Sequence, residues 1–197
     1  MGRPSNTKQR KQEIVQALLK VMSEQGYEKA SIHAIAEQAE LTPGLIHYHF
    51  KSKHDILIAL VKWIASTAES RLRVLQSENK TSWEKLEDFI NTRLAKGQGE
   101  LPEMVNAWVL IAGESIRHSD VKAIYQDLIK QQLEILRELL ADAWQGKSPA
   151  NNEVTELSAI IMAAIEGAYL LSATADGVMP SGYAAEGLLG IVKARVG

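Results

Sequence analysis

The sequence predicts an all-α protein of about nine helices, a small three-helix N-terminal domain joined by one long helix to a larger helical C-terminal domain. Three observations predict this. Apolar residues recur at three- and four-residue spacing through nearly every segment. No stretch alternates apolar and polar residues as a half-buried strand would. Capping residues and Gly/Pro breakers cut the chain into pieces of helical length.

The first helix carries Ile14, Val15, Leu18, Leu19 and Met22 on one face and stops at Gly26. Ser31 caps the second, which continues through Ile32, Ile35, Ala36 and Ala39. Thr42 caps the third, with Pro43 at the first helical position, where a missing N–H is harmless. This helix runs only about two turns before Lys51-Ser52-Lys53 interrupts it. At about 100° per residue, Ile46 and Phe50 point inward together. Gly44 and Tyr48 then point outward, flanked by Leu45 and His47. A mid-helix glycine costs about 0.8–1.0 kcal/mol against alanine. A surface that must approach a phosphate or base edge justifies that cost at Gly44. Four of the five histidines lie between Ser31 and Lys53 or one residue beyond. A short helix mounted on another, presenting small, aromatic and imidazole side chains, suits a DNA major groove. The alternative is an ordinary surface turn of a helical domain.

The fourth helix begins near Ser52 and runs to about Gln76, striped by Ile56, Leu57, Leu60, Val61, Ile64, Ala68, Leu72 and Leu75. It is too long for the small domain and acts as a connector. Breakers then divide the remainder into helices over about Trp83 to Lys96, Glu103 to Arg117, Asp120 to Trp144, 153–175 and 181–195. Gly97-Gln98-Gly99, Gly146-Lys147-Ser148-Pro149 and Asp176-Gly177-Val178-Met179-Pro180 separate them. The domain boundaries expected are 1–52, with a helix-turn-helix at about 31–50, a connector over 53–77, and a C-terminal domain over 78–197.

The helix from Glu153 to Ala175 is apolar all round. One face is expected to carry Leu157, Ile160, Ile161, Ala164, Ala168 and Leu171, the other Ala159, Met162, Ala163, Glu166, Tyr169, Leu170 and Ala173. Such a helix must be covered on both sides. The last helix is rich in small residues (Gly182, Ala184, Ala185, Gly187, Gly190), so close packing across a two-fold axis predicts a homodimer on these two helices. The alternative is a central core helix in a monomer. Three roles fit Glu166: accepting hydrogen bonds, pairing across the dimer, or facing a cavity as counter-charge for a ligand. Glu114 poses the same question, and Trp108, Trp83, Met104 and Met162 fit either a cavity lining or plain core. Aromatic rings with a carboxylate suit a cationic or amphipathic small molecule, making Trp108, Glu114 and Glu166 the candidate effector residues.

Composition narrows the function classes. The 197 residues are 46% hydrophobic and 23% charged, as in a soluble globular protein. The absence of cysteine excludes disulfides, thiolate metal sites and cysteine nucleophiles. No uninterrupted apolar run approaches 18 residues and the N-terminus does not read as a secretion signal, so a cytoplasmic location with no membrane partner is expected. Residues 1–62 hold nine Lys/Arg against six Asp/Glu, and the remainder thirteen against eighteen. That split suits contact with nucleic acid at one end only. The arm Gly2-Arg3-Pro4, with Lys8, Arg10 and Lys11, either reaches the DNA or is a solvated tail. No catalytic or nucleotide-binding motif occurs, and Ser115 with His118 lacks an orienting partner, so neither an enzyme nor a cofactor is expected. Metal binding by His47 and His49 is not expected either, since residues two apart on a helix diverge. A small-molecule carrier without regulatory DNA binding is the rival reading.

The segment A-E-L-T-P-G-L-I-H-Y-H-F-K-S-K-H-D-I-L resembles the helix-turn-helix of the tetracycline-repressor (TetR) family of bacterial regulators, and the resemblance extends over about residues 7 to 62. It implies that Ser31, His49, Lys53 and either His47 or Tyr48 hold phosphates, while Thr42, Pro43, Gly44 and Leu45 face the bases. The dipole of the helix that Lys53 opens favours phosphate as well, and Leu45 offers only apolar contact, as to a thymine methyl. For His49 the alternative is half-burial against the first helix. The resemblance further implies a dimer on a palindromic operator, with repression relieved by an unknown effector bound in the C-terminal domain. Two positions depart from the pattern: Glu40 replaces the usual turn glycine, and His47 stands where a tyrosine is usual.

Overall fold

A computed structural model describes residues 6–76, 79–94, 102–144, 151–175, 177–180 and 182–196. The expected arm at Gly2-Arg3-Pro4 and the loops Gly97-Gln98-Gly99 and Gly146-Lys147-Ser148-Pro149 lie outside the described residues, as do the side chains of Ala68, Leu72 and Leu75. Among the described residues there are nine α-helices and no strand. They are α1 (Asn6–Gln25), α2 (Ile32–Gln38), α3 (Pro43–His49), α4 (Lys53–Gln76), α5 (Ser82–Leu94), α6 (Pro102–Arg117), α7 (Ser119–Ala143), α8 (Asn151–Thr174) and α9 (Tyr183–Val196).

Local chemistry explains where these helices begin and end. Ser31 Oγ accepts from the Ala34 N–H at 3.1 Å, and Thr42 Oγ1 from the Leu45 N–H at 3.3 Å, each satisfying one of the N–H groups that a helix leaves unpaired. Ser52 and Asp55 exchange bonds at the start of α4: the Ser52 N–H reaches Asp55 Oδ2 at 3.0 Å and the Asp55 N–H reaches Ser52 Oγ at 3.1 Å. Thr81 and Glu84 do the same for α5, and the bonds from Thr81 hold the Glu84 carboxyl below its ordinary pKa. α1 stops at Gly26, whose φ of 78° an L side chain rarely adopts.

The chain divides into two compact units: residues 1–66 with 102–125, and residues 67–101 with 126–197. This differs from the sequence-based boundaries at 52/53 and 77/78, because the division falls inside α4 and α7, and because α6 packs on α1. In unit 1, α1, α2 and α3 pack on one another around Ile14, Leu18, Met22, Ile35 and Ile46, with Ile56, Leu57 and Leu60 of α4 also fully buried. In unit 2, α5, α8 and α9 pack together, burying Leu86, Phe89, Ile90, Ile161, Ile165 and Val192.

The two faces of α8 fall differently from the sequence-based division. The buried stripe is Leu157, Ser158, Ile161, Met162, Ile165 and Tyr169, whereas Ala159, Ile160, Ala163, Ala164, Leu170 and Leu171 are exposed. Hence Ile160, Ala164 and Leu171 lie on the outer side, and Met162 and Tyr169 on the inner. A helix apolar around its whole circumference gives periodicity no phase to lock onto.

Glu40 adopts a φ of 54°. The turn after α2 closes with the Leu41 N–H on the Ala36 carbonyl at 2.9 Å and the Glu40 N–H on that of Glu37 at 3.1 Å. An L residue at this left-handed position is strained by about 1–2 kcal/mol, partly offset by the greater unfolded freedom of glycine. Glu40→Gly should therefore leave the thermal midpoint unchanged or raise it. A clear drop in a melt would contradict that.

Candidate nucleic-acid interface

The exposed edge of α3 is built by what its other side buries. Ile46 is fully buried and Phe50, which ends the helix, nearly so, while Gly44, His47 and Tyr48 are exposed and Leu45 half-buried. Tyr48 is 78% exposed, a large ring held in solvent. Thr42 and Ser31 are exposed at the starts of α3 and α2. Their capping bonds use the hydroxyl oxygen as acceptor, so each O–H proton remains free to donate. Thr42, Pro43, Gly44, Leu45, His47 and Tyr48 thus sit together on or beside one edge of a two-turn helix. Nothing within 4 Å would meet a Cβ built on Gly44. The glycine leaves room outside the protein, as close approach to a partner requires.

His49 is half-buried, edge-on to the Tyr48 ring at a centroid distance of 5.0 Å and an interplanar angle of 83°. Its Nδ1 is buried without a hydrogen-bond partner. This is the half-buried position that the sequence left open, and Nδ1 does not face solvent.

Lys53 has a job that the sequence did not reveal. Its ammonium donates to the Tyr27 carbonyl at 2.8 Å and the Glu28 carbonyl at 3.3 Å, and lies 4.3 Å from the Tyr27 ring centroid. Lys53 therefore fastens the start of α4 to the connection between α1 and α2, and one N–H remains for a phosphate. Tyr27 itself is buried; burial first, then the charges of Glu114, Glu28 and Asp120, push its hydroxyl pKa up to about 12.

Of the candidate effector residues, Trp108 and Glu114 lie in unit 1 and Glu166 in unit 2. Trp108 stacks on Tyr125 at 4.8 Å and 27°. Tyr125 was missed by sequence reading, since nothing local marks it as a partner of Trp108. Glu114 is only 8% exposed, 3.7 Å from Arg117 and 3.5 Å from His118 on its own helical face. Its charge also reaches Tyr27, whose hydroxyl it helps to keep protonated. Glu166 is half-buried on α8. Among the described residues, no group of three or more His, Cys, Asp or Glu is placed to hold a metal ion.

Comparison with known proteins matches the chain in two segments. Residues 14–60 match the family model of bacterial regulatory proteins, tetR family, and residues 82–194 that of the BetI-type transcriptional repressor, C-terminal. The fatty acid metabolism regulator protein of Bacillus subtilis (strain 168) is 27% identical over 136 residues, 68% of each chain. The HTH-type transcriptional regulator BetI of Rhizobium meliloti (strain 1021) is 27% identical over 115 residues, 58% of this chain and 56% of that one. A transcriptional regulator from Saccharomonospora viridis, solved in complex with choline, shares the fold with a TM-score of 0.86 at 20% identity, covering 96% of this chain and 98% of that one.

Charge-assisted bonds from Lys53 to two carbonyls stabilise the unit by about 1.5–3 kcal/mol. Lys53→Ala should accordingly lower the thermal midpoint of the DNA-free protein. An unchanged midpoint would remove the clamp and leave Lys53 to phosphate alone.

Proposed function

This chain belongs to the TetR family of transcriptional regulators, and we propose that it is a repressor binding a palindromic operator as a homodimer and released by a small cationic effector. The observation that carries the DNA-binding part is the α3 edge: a capped helix whose buried side is anchored and whose glycine, histidine and tyrosine stand exposed. Thr42, Pro43, Gly44 and Leu45 face the bases; Ser31, His47 or Tyr48, and the free donor of Lys53 hold phosphates. His49 acts by holding the Tyr48 ring edge-on. No enzymatic step is assigned to the chain, and its place is the cytoplasm, where operator DNA is.

The dimer seam is the outer face of α8 with α9. Ile160 is 56% and Ile191 63% exposed, beside the small residues Ala159, Ala163, Ala164, Gly187 and Gly190. Large apolar side chains interleaved with small ones favour a second copy packed closely against them. Among the described residues α8 is the one helix long and apolar enough to cross a membrane. Its inner stripe packed on α5 and α9 supports a protein seam instead. Two reading helices related by that axis would meet half-sites about one DNA turn apart, or a multiple of it.

Support for a cationic effector comes from the choline bound by the similar regulator and from the aromatic pair Trp108 and Tyr125, a side-chain chemistry that attracts quaternary ammonium groups. Such an effector need supply only about 1–3 kcal/mol of coupling between two arrangements to release the operator.

Two experiments test these readings. In a gel shift on the DNA upstream of its own gene, the protein should retard the duplex, Tyr48→Ala should weaken retardation without lowering the melt, and choline should release it. An unretarded duplex favours a small-molecule carrier, and release by a long-chain fatty acid but not by choline overturns the cationic effector. Separately, Ile160→Glu should give a monomer by light scattering at micromolar concentration. A wild-type monomer under those conditions would move α8 into a single-chain core.

A further inference from the structure

We propose that His54 is a positioning residue for the reading helix, and that one proton taken up by the pair His54 and His118 tightens its hold. His54 is the second residue of α4, four residues after Phe50, which ends α3. Its Nε2 lies 2.6 Å from Asp120 Oδ2 in the first turn of α7. The His118 ring, between α6 and α7, stands 4.9 Å away, tilted by 48°. His118 Nε2 is 3.5 Å from Glu114 Oε2, a buried oxygen with no hydrogen-bond partner. All these residues belong to unit 1. His54, His118 and Asp120 take no part in the DNA contacts or in the effector reading.

The charges around the pair explain why it takes one proton. α6 contributes Glu114 and Arg117, α7 Asp120, α4 Lys53 and Asp55, and the connection between α1 and α2 Tyr27 and Glu28. Asp55 is turned to the cap at Ser52, and Arg117 lies 3.1 Å from Glu28. With both rings neutral, the carboxylates of Glu28, Asp55, Glu114 and Asp120 outnumber the cations Lys53 and Arg117, which favours a proton on the pair; a second proton would set two imidazolium rings side by side. On His54 the proton turns the bond to Asp120 into an ion pair. On His118 it gives the Glu114 oxygen a charged neighbour, relieving the penalty of a buried oxygen without a hydrogen bond. Hydrogen bonding to His54 already favours the ionised Asp120, whose pKa lies below its ordinary value.

Either site of protonation strengthens the tie from the first turn of α4 to the corner between α6 and α7. Histidine ordinarily changes charge between about pH 5 and 8. The extra hold is therefore present at the acid end of that window and lost as pH rises through it. His33, His47 and His49 lie outside this cluster.

The DNA arm of the test rests on the regulator reading; the stability arm does not. Urea unfolding of the DNA-free full chain is measured at pH 6 and pH 8 for wild type, His54→Gln and the permanently charged His54→Arg. The folding-constant ratio of wild type to His54→Gln should be about twofold to fivefold larger at pH 6 than at pH 8, the range supplied by a partly exposed ion pair. His54→Arg should keep the same advantage over His54→Gln at both values. Operator affinity of wild type relative to His54→Arg should follow the same trend, since His33, His47 and His49 are common to both proteins. A ratio to His54→Gln that does not change with pH overturns the proposal. Should that variant not fold, Asp120→Asn replaces it under the same criterion. A moving stability ratio with a flat operator ratio overturns the positioning role. Failure of the wild type to bind any operator overturns the regulator reading itself, and the stability ratio then decides the tie alone.

Discussion

Seven residues are too few to hold a helix in water, where isolated helices shorter than about 12–15 residues are marginal. α3 exists because Ile46 and Phe50 are buried against α1 and α2, burial that contributes about 1.5–3 kcal/mol for each side chain. That anchorage fixes the roll of the helix about its own axis. Turning it by one residue would bury His47 or Leu45 and expose an isoleucine. Every functional statement about the N-terminal unit depends on this constraint: the caps at Ser31 and Thr42, the tight turn through Glu40 and the clamp from Lys53 all serve to keep the same edge outward.

The anchorage also explains why the surroundings of α3 are polar and tied rather than loosely solvated. Around the start of α4, Lys53 holds two carbonyls of the α1–α2 connection, Arg117 meets Glu28, and His54 meets Asp120. These partners come from four places in the sequence, yet all belong to the unit that carries the reading helix. Ties that depend on charge can be loosened by small changes in charge or position, whereas the apolar anchorage of Ile46 cannot. An apolar anchorage beside charge-dependent ties suits a ligand-responsive regulator of the TetR family, in which a small free-energy difference must favour one arrangement over another.

How much of this was legible in the sequence follows from the range of the interactions concerned. Caps, breakers and the inward side of α3 are set by residues within four positions of one another, so Ser31, Thr42, Gly44, Ile46 and Tyr48 could be placed from spacing alone. The left-handed φ of Glu40 agrees with the resemblance and not with spacing, since Glu40 stands where the family pattern has a turn glycine. What depends on distant partners was not legible. Trp108 gave no sign of Tyr125, Lys53 none of the Tyr27 carbonyl, and Glu114 none of the ring and charges that enclose it. α8 failed for the opposite reason: with apolar residues on every side, its sequence contains no contrast from which to read a phase. Its inner face became visible only with α5 and α9 in place.

Amide hydrogen exchange, with and without the duplex upstream of the gene, tests the central claim most directly. Slowed exchange concentrated between Thr42 and His49, with little change along the outer face of α8, is the result that an anchored, outward-facing α3 predicts. Slowing that spares this helix while the protein is bound would contradict it, because the DNA would then be held by some other surface.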